Sequence, residues 1–241
     1  MNDLESEWEQ MTPHWIKEMR EGRNATREIQ LDPPILDLCG DVTDKDVVDL
    51  GCGEGRFSRK LGAQGATVLG LDRSRTMIEA AMSIAGPAEE YRVADVQNLS
   101  FLEDASFDLA ISYLNQCDLP DFAANTKEVF RILKPGGVFV IANLHPMRSA
   151  TGLWCKDESG KKLHVTVDNY LESEKRHWKI MGVTITNFHR SLETYVMAYL
   201  DAGFKLERIE EPSVSNEALE QYPELDDEQR VPNFILFKLR R

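Results

Sequence analysis

The sequence predicts an α/β fold, in which a mostly parallel β-sheet carries helices on both faces. From residue 46 onward, short apolar runs alternate with segments whose apolar residues recur at helical spacing. This alternation is typical of parallel sheets, because the chain must cross back over the sheet between parallel strands. A glycine-rich turn follows the first apolar run, and polar residues follow the later ones. We therefore expect a ligand at the carboxyl ends of the strands, where the strand order reverses.

Helices are predicted before the sheet. In the first segment, apolar residues recur every three or four positions: Leu4, Trp8, Met11, Trp15 and Met19. The second segment covers residues 26–39, where Pro33-Pro34 marks a helix start. Trp15 is a candidate for lining a substrate pocket, although a stripe that faces the core explains the spacing more simply.

The core of the fold is predicted over residues 46–144. Its strands are expected at 47–50, 67–72, 91–95, 107–112 and 138–142, and its helices at 57–63, 74–85 and 121–133. Ser74 is the expected N-cap of the second of these helices. The third helix is expected to end at Lys134-Pro135-Gly136-Gly137, because proline cannot continue it.

After residue 144 the alternation of strand and helix stops. Residues 163–167 and 178–185 alternate like antiparallel strands, so we interpret residues 145–187 as a cover over the ligand edge of the sheet. A helix at 191–201, a strand at 204–209, an acidic loop at 210–228 and a last strand at 234–239 are expected to complete the chain.

Composition restricts the partners and the compartment. The net charge of −13 disfavours nucleic acid, since its binders present basic surfaces to phosphates. No apolar run is long enough to span a bilayer, and the acidic first residues do not resemble a secretion signal, so we expect a cytoplasmic protein. The four cysteines form no Cys-x-x-Cys pair, and no metal site is predicted.

The glycine-rich turn itself indicates a ligand. Gly51, Gly53 and Gly55 leave out the side chains that would keep a ligand away from the main chain. A dinucleotide fingerprint would require glycine where Arg56 stands. The carboxylates of Asp49 and Glu54 would repel a pyrophosphate and suit a ligand that carries an ammonium and a sulfonium.

The segment Asp49-Leu50-Gly51-Cys52-Gly53-Glu54-Gly55 closely resembles motif I of class I S-adenosylmethionine-dependent methyltransferases. Leu133-Lys134-Pro135-Gly136-Gly137 is similar to the turn found in the small-molecule branch of that family, which includes quinone-biosynthesis methyltransferases. The resemblance covers about residues 46 to 144. It implies S-adenosylmethionine as cofactor and S-adenosylhomocysteine as product, with the methionyl end at the glycine loop.

The predicted architecture is a seven-stranded, mostly parallel, doubly wound, Rossmann-like sheet in the order 3-2-1-4-5-7-6. N-terminal helices precede it, and a small antiparallel cover is inserted after strand five. We expect a single methyltransferase domain over residues 1–241. Its parts are N-terminal helices (1–40), a cofactor-binding core (46–144), a substrate cover (145–187) and a segment that completes the core (188–241).

Two acids at strand ends are the main candidates for holding the nucleoside. Asp72 can accept hydrogen bonds from both ribose hydroxyls, although it can also cap the next helix. Asp95 can accept from an adenine amino group, although acids are common in turns. The resemblance assigns ribose and adenine to the same two positions. The full set of predicted cofactor contacts is Asp49, Gly51, Cys52, Gly53, Gly55, Asp72, Arg73, Met77, Ala94, Asp95, Val96, Tyr113 and Asn115.

A base is needed if the acceptor is a hydroxyl or a carbon acid. His145, directly after strand five, is the first candidate, followed by His189 and Asp118. Arg148 and Arg190 are candidates, with Trp15, for binding the acceptor.

We therefore predict methyl transfer to a small molecule by in-line displacement, to oxygen in preference to nitrogen or carbon. The residues after strand four lack the Asn/Asp-Pro-Pro-aromatic signature of amino-group methylation. No nucleic acid or membrane partner is expected, and the protein is expected to be a monomer or a homodimer. The alternatives are a nicotinamide-dependent oxidoreductase and a cofactor-binding relative without catalytic activity.

Overall fold

The computed structural model describes residues 3–241, apart from the side chains of residues 3, 5 and 151–153. Its helices are α1 (Asp3–Arg20), α2 (Asp32–Cys39), α3 (Arg56–Gly62), α4 (Arg75–Met82), α5 (Phe122–Ile132), α6 (Pro146–Ser149), α7 (Leu192–Asp201) and α8 (Asn216–Gln221). A π-helical segment (Thr26–Leu31) precedes α2, and 3-10 turns cover Gln116–Asp118 and Pro223–Gln229. The strands are β1 (Asp46–Leu50), β2 (Thr67–Asp72), β3 (Glu89–Val93), β4 (Phe107–Tyr113), β5 (Leu133–Leu144), β6 (Thr151–Lys156), β7 (Lys162–Val167), β8 (Glu174–Ile180), β9 (Val183–His189), β10 (Lys205–Glu210) and β11 (Phe234–Arg240).

The main sheet has seven strands in the order β10-β11-β5-β4-β1-β2-β3. The strands β3, β2, β1, β4 and β5 are parallel, β11 is antiparallel to β5, and β10 is antiparallel to β11. The predicted fold class and strand order are therefore confirmed. The order reverses between β1 and β4, so the carboxyl ends of these two strands flank the expected ligand edge.

Two apolar layers hold the sheet between the helices. Val47 packs with Phe57 and Leu61 on one face, and its neighbour Val48 packs on the other face with Leu71 and Phe139. Because successive side chains of a strand point to opposite faces, a continuous apolar run can bury both sides of β1. Helices therefore cover the sheet from both sides, and the polar groups at its carboxyl edge remain available for a ligand.

Helix starts follow the capping residues that the sequence provides. The side chains of Ser74, Asp121 and Ser191 accept hydrogen bonds from backbone N–H groups three residues later, at 3.1, 2.9 and 3.2 Å. Each cap satisfies a donor that the first helical turn leaves free. The predicted N-cap Ser74 has this role in α4.

Three segments differ from the prediction. The strand β5 begins at Leu133, because the predicted turn at 134–137 is a bulge within the strand, where the pairing register with β4 shifts. The segment 178–185 divides into β8 and β9, since Met181 and Gly182 both have positive φ and turn the chain back as a hairpin. The acidic segment 210–228 contains α8, whose N-cap Ser215 accepts from the Ala218 N–H at 3.1 Å.

The strands β6 to β9 form two hairpins outside the main sheet, β6 with β7 and β8 with β9. Among residues 3–241, no helix has both the length and the apolar character that a bilayer span requires.

Candidate functional site: a cavity at the carboxyl edge of the sheet

A cavity that opens to solvent at its mouth lies at the carboxyl ends of β1, β2 and β4. One wall is polar and includes Asp49, Gly51, Gly53, Asp72 and Ser74. The apolar wall includes Leu4, Trp8, Trp15, Met19, Leu114 and Leu119. A lining that combines apolar side chains with a few polar groups is typical of sites that hold and orient small ligands.

The three glycines of the loop have different reasons for lacking a side chain. All have positive φ (76°, 56° and 80° for Gly51, Gly53 and Gly55). A Cβ at Gly51 would collide with the Asn115 side chain, and one at Gly55 with the ring of Tyr91. A Cβ at Gly53 would meet nothing within 4 Å and would project into the cavity's space. Gly53 is therefore the position at which a ligand can approach the backbone most closely.

Asp72 holds the glycine loop against the end of β2. Its Oδ2 accepts from the Gly53 N–H at 2.9 Å, and its Oδ1 accepts from the Ser74 N–H at 2.8 Å. A carboxylate has about four acceptor sites, so each oxygen keeps capacity for a ligand hydroxyl. Burial raises the pKa of Asp72, and the two backbone donors oppose that rise. The helix-capping role and the predicted ribose-binding role are thus compatible.

Asp49 has an acceptor atom that the protein leaves unsatisfied. Its side chain is buried beside the glycine loop, and Oδ2 accepts from the Ser58 hydroxyl at 2.6 Å. Oδ1 is buried and has no hydrogen-bond partner. Burial raises the pKa of Asp49 to about 6. A cationic ligand in the cavity would supply the partner that Oδ1 lacks.

Glu54 contributes less to the charge of the loop than the sequence suggested. Its buried carboxylate accepts from Arg59 at 2.9 Å, and Arg20 of α1 lies 3.8 Å away. Because two arginines compensate this carboxylate, the acidic character of the polar wall rests mainly on Asp49 and Asp72.

The predicted adenine-side residues are divided between the cavity and its surroundings. Arg73 and Met77 line the cavity. Asp95 is exposed; Arg73 donates to it at 3.1 Å, and its Oδ1 accepts from the Gln97 N–H at 3.0 Å, as in an Asx turn. Val96 is in the main core, and Ala94 packs against that core. Ala94, Asp95 and Val96 do not line the cavity, so their predicted contacts stay predictions.

The polar wall fits S-adenosylmethionine. The orphaned Asp49 oxygen suits a cationic amino group, Asp72 has spare acceptor capacity for ribose hydroxyls, and the space above Gly53 is open to a ligand. The other predicted contacts that line the cavity are Gly51, Cys52, Tyr113 and Asn115, whereas Gly55 is covered by Tyr91. The buried Asn115 Oδ1 is a second acceptor without a partner.

The apolar wall is provided mainly by α1, which lies across the cavity. Glu7 accepts from the N–H and hydroxyl of Thr186 at 2.8 and 2.9 Å, which ties α1 to β9. Glu9 accepts from the Ser74 and Thr76 hydroxyls at 2.6 and 2.8 Å, which ties α1 to α4. Trp15 lines the cavity and packs edge-on against Trp8, and its predicted contact with the substrate stays a prediction. The cavity is therefore closed on one side by contacts from distant parts of the chain.

Asp118 is the one of the three predicted catalytic residues that lines the cavity. It ends the 3-10 turn after β4, accepts a short hydrogen bond from the Asn187 amide, and lies 3.6 Å from the Cys117 sulfur. Burial raises the pKa of Asp118 to about 7, because the surroundings disfavour its charged form.

His145 and His189 lie outside the cavity. The His145 ring caps α6 by accepting from the Met147 N–H at 3.0 Å, and its Nε2 lies 2.9 Å from Glu211. The buried His189 ring lies between the Ser149 hydroxyl and the Tyr170 carbonyl, at 2.7 and 2.9 Å. Both rings thus have structural partners, and this placement does not favour either histidine as the base.

Arg190 and Arg148 are also away from the cavity. Arg190 is buried and donates to the carbonyls of Leu119 and Pro120 at 2.5 and 3.0 Å, so it supports the segment that follows Asp118. Arg148 lies over the Trp178 ring at 5.7 Å. The geometry gives them positioning and packing contacts instead of the predicted contact with an acceptor.

Sequence reasoning missed Arg27 and Thr186, which both line the cavity. Arg27 belongs to the π-helical segment and Thr186 to β9. No local motif marks either residue, since each reaches the site through long-range packing.

Comparison with known proteins supports these features. A family model described as a methyltransferase domain matches residues 48–141. The crystal structure of an S-adenosylmethionine dependent methyltransferase from Mesorhizobium loti superposes with a TM-score of 0.79 at 34% identity, over 87% of this chain and 96% of that one.

Two curated relatives match the chain over shorter stretches. One is a 2-methyl-6-phytyl-1,4-hydroquinone methyltransferase from Synechocystis, 37% identical over 40% of this chain and 31% of that protein. The other is a malonyl-[acyl-carrier protein] O-methyltransferase from Pseudescherichia vulneris, 36% identical over 46% of this chain and 43% of that protein. The chain thus spans less than half the length of either relative. From the shared fold, the matched domain and the fit of the polar wall, the chain belongs to the class I S-adenosylmethionine-dependent methyltransferases, with S-adenosylmethionine as its cofactor.

Proposed function

We propose that the protein transfers a methyl group to an oxygen atom of a small molecule, with Asp118 as the general base. The observation that carries this proposal is the position of the Asp118 carboxyl group. It lines the same cavity as the glycine loop and has a pKa raised to about 7 by burial. A base of that pKa is deprotonated in a useful fraction of molecules at neutral pH and still accepts a proton readily.

S-adenosylmethionine supplies an electrophilic methyl group on a sulfonium. The residues that would hold it are Gly53, which leaves its backbone open, Asp49, whose free oxygen would face the cationic amino group, and Asp72, which would accept from the ribose. The protein's contribution is then to position the two reactants and to exclude water.

Asp118 would take the proton from the acceptor hydroxyl as the oxygen becomes nucleophilic. The Asn187 amide donates to Asp118 and holds its carboxyl group in one orientation. Arg190 holds the carbonyls of the next two residues, which restrains the same segment. Because burial disfavours the charged carboxylate, acceptance of the proton relieves an unfavourable charge.

The shape of the cavity supports a small acceptor. The wall of α1 closes one side, and Thr186 brings one strand of the predicted cover, β9, into contact with the cavity. We propose that residues 145–187 act as a substrate cover through the β8–β9 hairpin. The net charge of −13 supports an acceptor other than a nucleic acid.

The proposal is tested by Asp118→Asn in transfer assays with labelled cofactor and a panel of phenols and hydroquinones. For the wild type, we expect kcat to rise with pH up to about 7 and then level off, because the base must be deprotonated. The variant should lose this pH dependence and be about 10² to 10⁴ times slower.

The affinity of Asp118→Asn for S-adenosylhomocysteine, measured by calorimetry, should stay within about twofold of wild type, because Asp118 has no assigned cofactor contact. Asp201→Asn removes an exposed carboxylate at the end of α7 that does not line the cavity, and it should leave the pH profile unchanged. An unaltered pH profile in Asp118→Asn would exclude Asp118 as the base.

A further inference from the structure

Arg27 occupies an unusual position in the cavity. It belongs to the π-helical segment Thr26–Leu31, is half-buried, and lines the cavity. Its guanidinium carbon lies 4.8 Å from the centre of the Trp15 ring and 5.1 Å from the centre of the Tyr113 ring. Two aromatic rings thus fix the position of a planar cation at the boundary between the apolar wall and the rest of the site.

Arg27 differs from the other arginines of the cavity in having no carboxylate partner. Arg56 makes a bidentate pair with Asp32 at 2.6 and 2.9 Å, and Arg73 pairs with Asp95 at 3.1 Å. Among the side chains that the structure describes, the Arg27 guanidinium has no ion-pair or hydrogen-bond partner. The charge of Asp32 acts on Arg27, but the Asp32 carboxylate already accepts hydrogen bonds from Arg56 and from the Tyr113 hydroxyl.

An unpaired guanidinium in the lining of a cavity destabilises the folded protein unless a ligand pairs with its charge. Burial lowers the pKa of Arg27, yet an arginine side chain stays protonated in proteins. A desolvated charge without a partner is destabilising, and an anion that enters the cavity would relieve that cost. The planar fork of arginine matches a carboxylate, to which it can donate two parallel hydrogen bonds.

We propose that Arg27 binds a carboxylate group of the methyl acceptor, while the apolar body of the acceptor packs against Trp8, Trp15 and Leu119. This inference rests on the proposed function, in that it assumes a small-molecule acceptor in this cavity. It narrows the substrate class to anionic molecules with an apolar or aromatic body. Arg27 lies over Trp15 of the apolar wall, so an apolar body bound there would place its carboxylate beside the guanidinium. Arg27 also lies over Tyr113, as does Arg56 next to the glycine loop, so the cofactor's own carboxylate is a second source of the same chemistry, which the experiment separates.

The test uses binding, so it needs neither the natural acceptor nor turnover. The probes are 2-naphthoate and its uncharged analogue 2-naphthamide, titrated by calorimetry into the full-length protein saturated with S-adenosylhomocysteine. We expect naphthoate to bind the wild type more tightly than naphthamide. Arg27→Met should lower the affinity for naphthoate by about 10- to 100-fold, the range expected when a charge-assisted hydrogen-bonded contact is lost. Its affinity for naphthamide should stay within about twofold of the wild-type value.

Two further variants control for charge and folding. Arg27→Lys keeps the charge and loses the planar fork, so its naphthoate affinity should lie between those of wild type and Arg27→Met. Arg23→Met removes an exposed arginine that is paired with Glu18, outside the cavity, and should bind naphthoate as the wild type does. Circular dichroism spectra and melting temperatures show whether each variant is folded.

Three results would overturn the inference. The first is equal affinity of the wild type for naphthoate and naphthamide, including the absence of binding by both. The second is unchanged naphthoate affinity in Arg27→Met. The third is a loss of S-adenosylhomocysteine affinity in Arg27→Met without a loss for 5′-methylthioadenosine, which lacks the amino-acid portion; Arg27 would then hold the cofactor's own carboxylate. Because Asp118 is tested by the pH profile of turnover, failure of the proposed base leaves these binding results interpretable.

Discussion

At the scale of single residues, Asp49 links cofactor binding to stability. Its side chain is buried next to the glycine loop, with one oxygen bonded to Ser58 and the other without a partner. The free protein therefore keeps an unsatisfied acceptor where the cofactor needs one. Such a site destabilises the protein before the ligand arrives, and the same group strengthens binding afterwards.

The raised pKa of Asp49 determines the sign of its effect on stability. The carboxyl group ionises near pH 4 in the unfolded chain and at about 6 in the folded protein. The carboxyl group therefore does not lower the free energy of unfolding below about pH 4. The destabilisation grows as pH rises and is complete above about pH 6. The shift of about 2 pKa units corresponds to a loss of about 3 kcal/mol in the free energy of unfolding at pH 8.

We predict that Asp49→Asn stabilises the free protein at pH 8 and weakens the binding of the cofactor. The neutral amide can still accept from Ser58 and carries no charge that the buried site disfavours. Guanidinium unfolding should show a gain of up to about 3 kcal/mol over wild type at pH 8 that disappears toward pH 4. Calorimetry should show S-adenosylhomocysteine affinity reduced at least about tenfold, because the cationic amino group loses its counter-charge.

A matched control lies on the same strand. Asp46→Asn changes the exposed first residue of β1, which pairs with Lys134 at the surface. Its effect on cofactor affinity should be negligible. A stability difference between Asp49→Asn and wild type that is the same at pH 4 and pH 8 would contradict the assignment of the raised pKa.

At the scale of elements, α1 is a wall of the cavity that polar contacts hold in place. It is tied to β9 through Glu7 and to α4 through Glu9, and Arg20 donates to the Ala80 carbonyl at 2.8 Å. These contacts join the N-terminal helix to both the cover and the core. Opening of α1 would therefore control how quickly the cofactor leaves.

We predict that Glu9→Ala accelerates release of S-adenosylhomocysteine by about tenfold. The substitution removes the acceptor of two hydroxyl hydrogen bonds, each worth about 1 kcal/mol, and part of that loss is replaced by water. Stopped-flow fluorescence can follow release, because Trp8 and Trp15 line the cavity. Glu18→Ala, on the same helix but paired with Arg23, is the control. An unchanged release rate in Glu9→Ala would show that α1 does not limit departure.

At the scale of the whole molecule, hydrogen bonds and ion pairs join the inserted hairpins to the rest of the protein. The main sheet has apolar layers on both faces. The contacts of the β8–β9 hairpin with the rest of the protein include Thr186 with Glu7, Asn187 with Asp118 and His189 with Ser149. The β6–β7 hairpin meets the acidic 3-10 turn through Lys162, which pairs with Asp226 at 2.5 Å and also with Asp227.

We predict that these parts unfold together as one domain. In a variant with Trp8 and Trp15 replaced by phenylalanine, tryptophan fluorescence reports on the hairpins through Trp154 and Trp178. In a second variant, with Trp154 and Trp178 replaced by phenylalanine, the fluorescence reports on α1. Their thermal midpoints should coincide, as two-state unfolding requires. S-adenosylhomocysteine at about 100 times its Kd should raise both midpoints by about 5 to 10 °C. Earlier melting of the hairpins would define them as a separate unit.

The sequence predicted the features that depend on neighbouring residues. Strand and helix alternation, the cap at Ser74 and the glycine turn are local patterns that predicted the parallel α/β sheet, and the resemblance of the glycine turn to motif I implied the cofactor. The bulge in β5 and the hairpin turn at Met181-Gly182 were missed, because tertiary pairing decides where an extended segment breaks.

The site was only partly predictable, because its chemistry depends on which distant groups meet. The histidines were the natural candidates for a base by residue type, yet the fold engages them in caps and carbonyl contacts outside the cavity. Asp118 was the third candidate, and burial raises its pKa to about 7 although the hydrogen bond from Asn187 lowers it.

The sequence by itself determined the sheet, the loop and the class of cofactor, since these follow from periodicity and from short motifs. Tertiary structure alone decided which charges are compensated: Arg59 and Arg20 beside Glu54, Asp32 beside Arg56, and no carboxylate beside Arg27 among the described residues. The physical reason is that charge balance and burial are properties of the space that a side chain shares with groups from elsewhere in the chain.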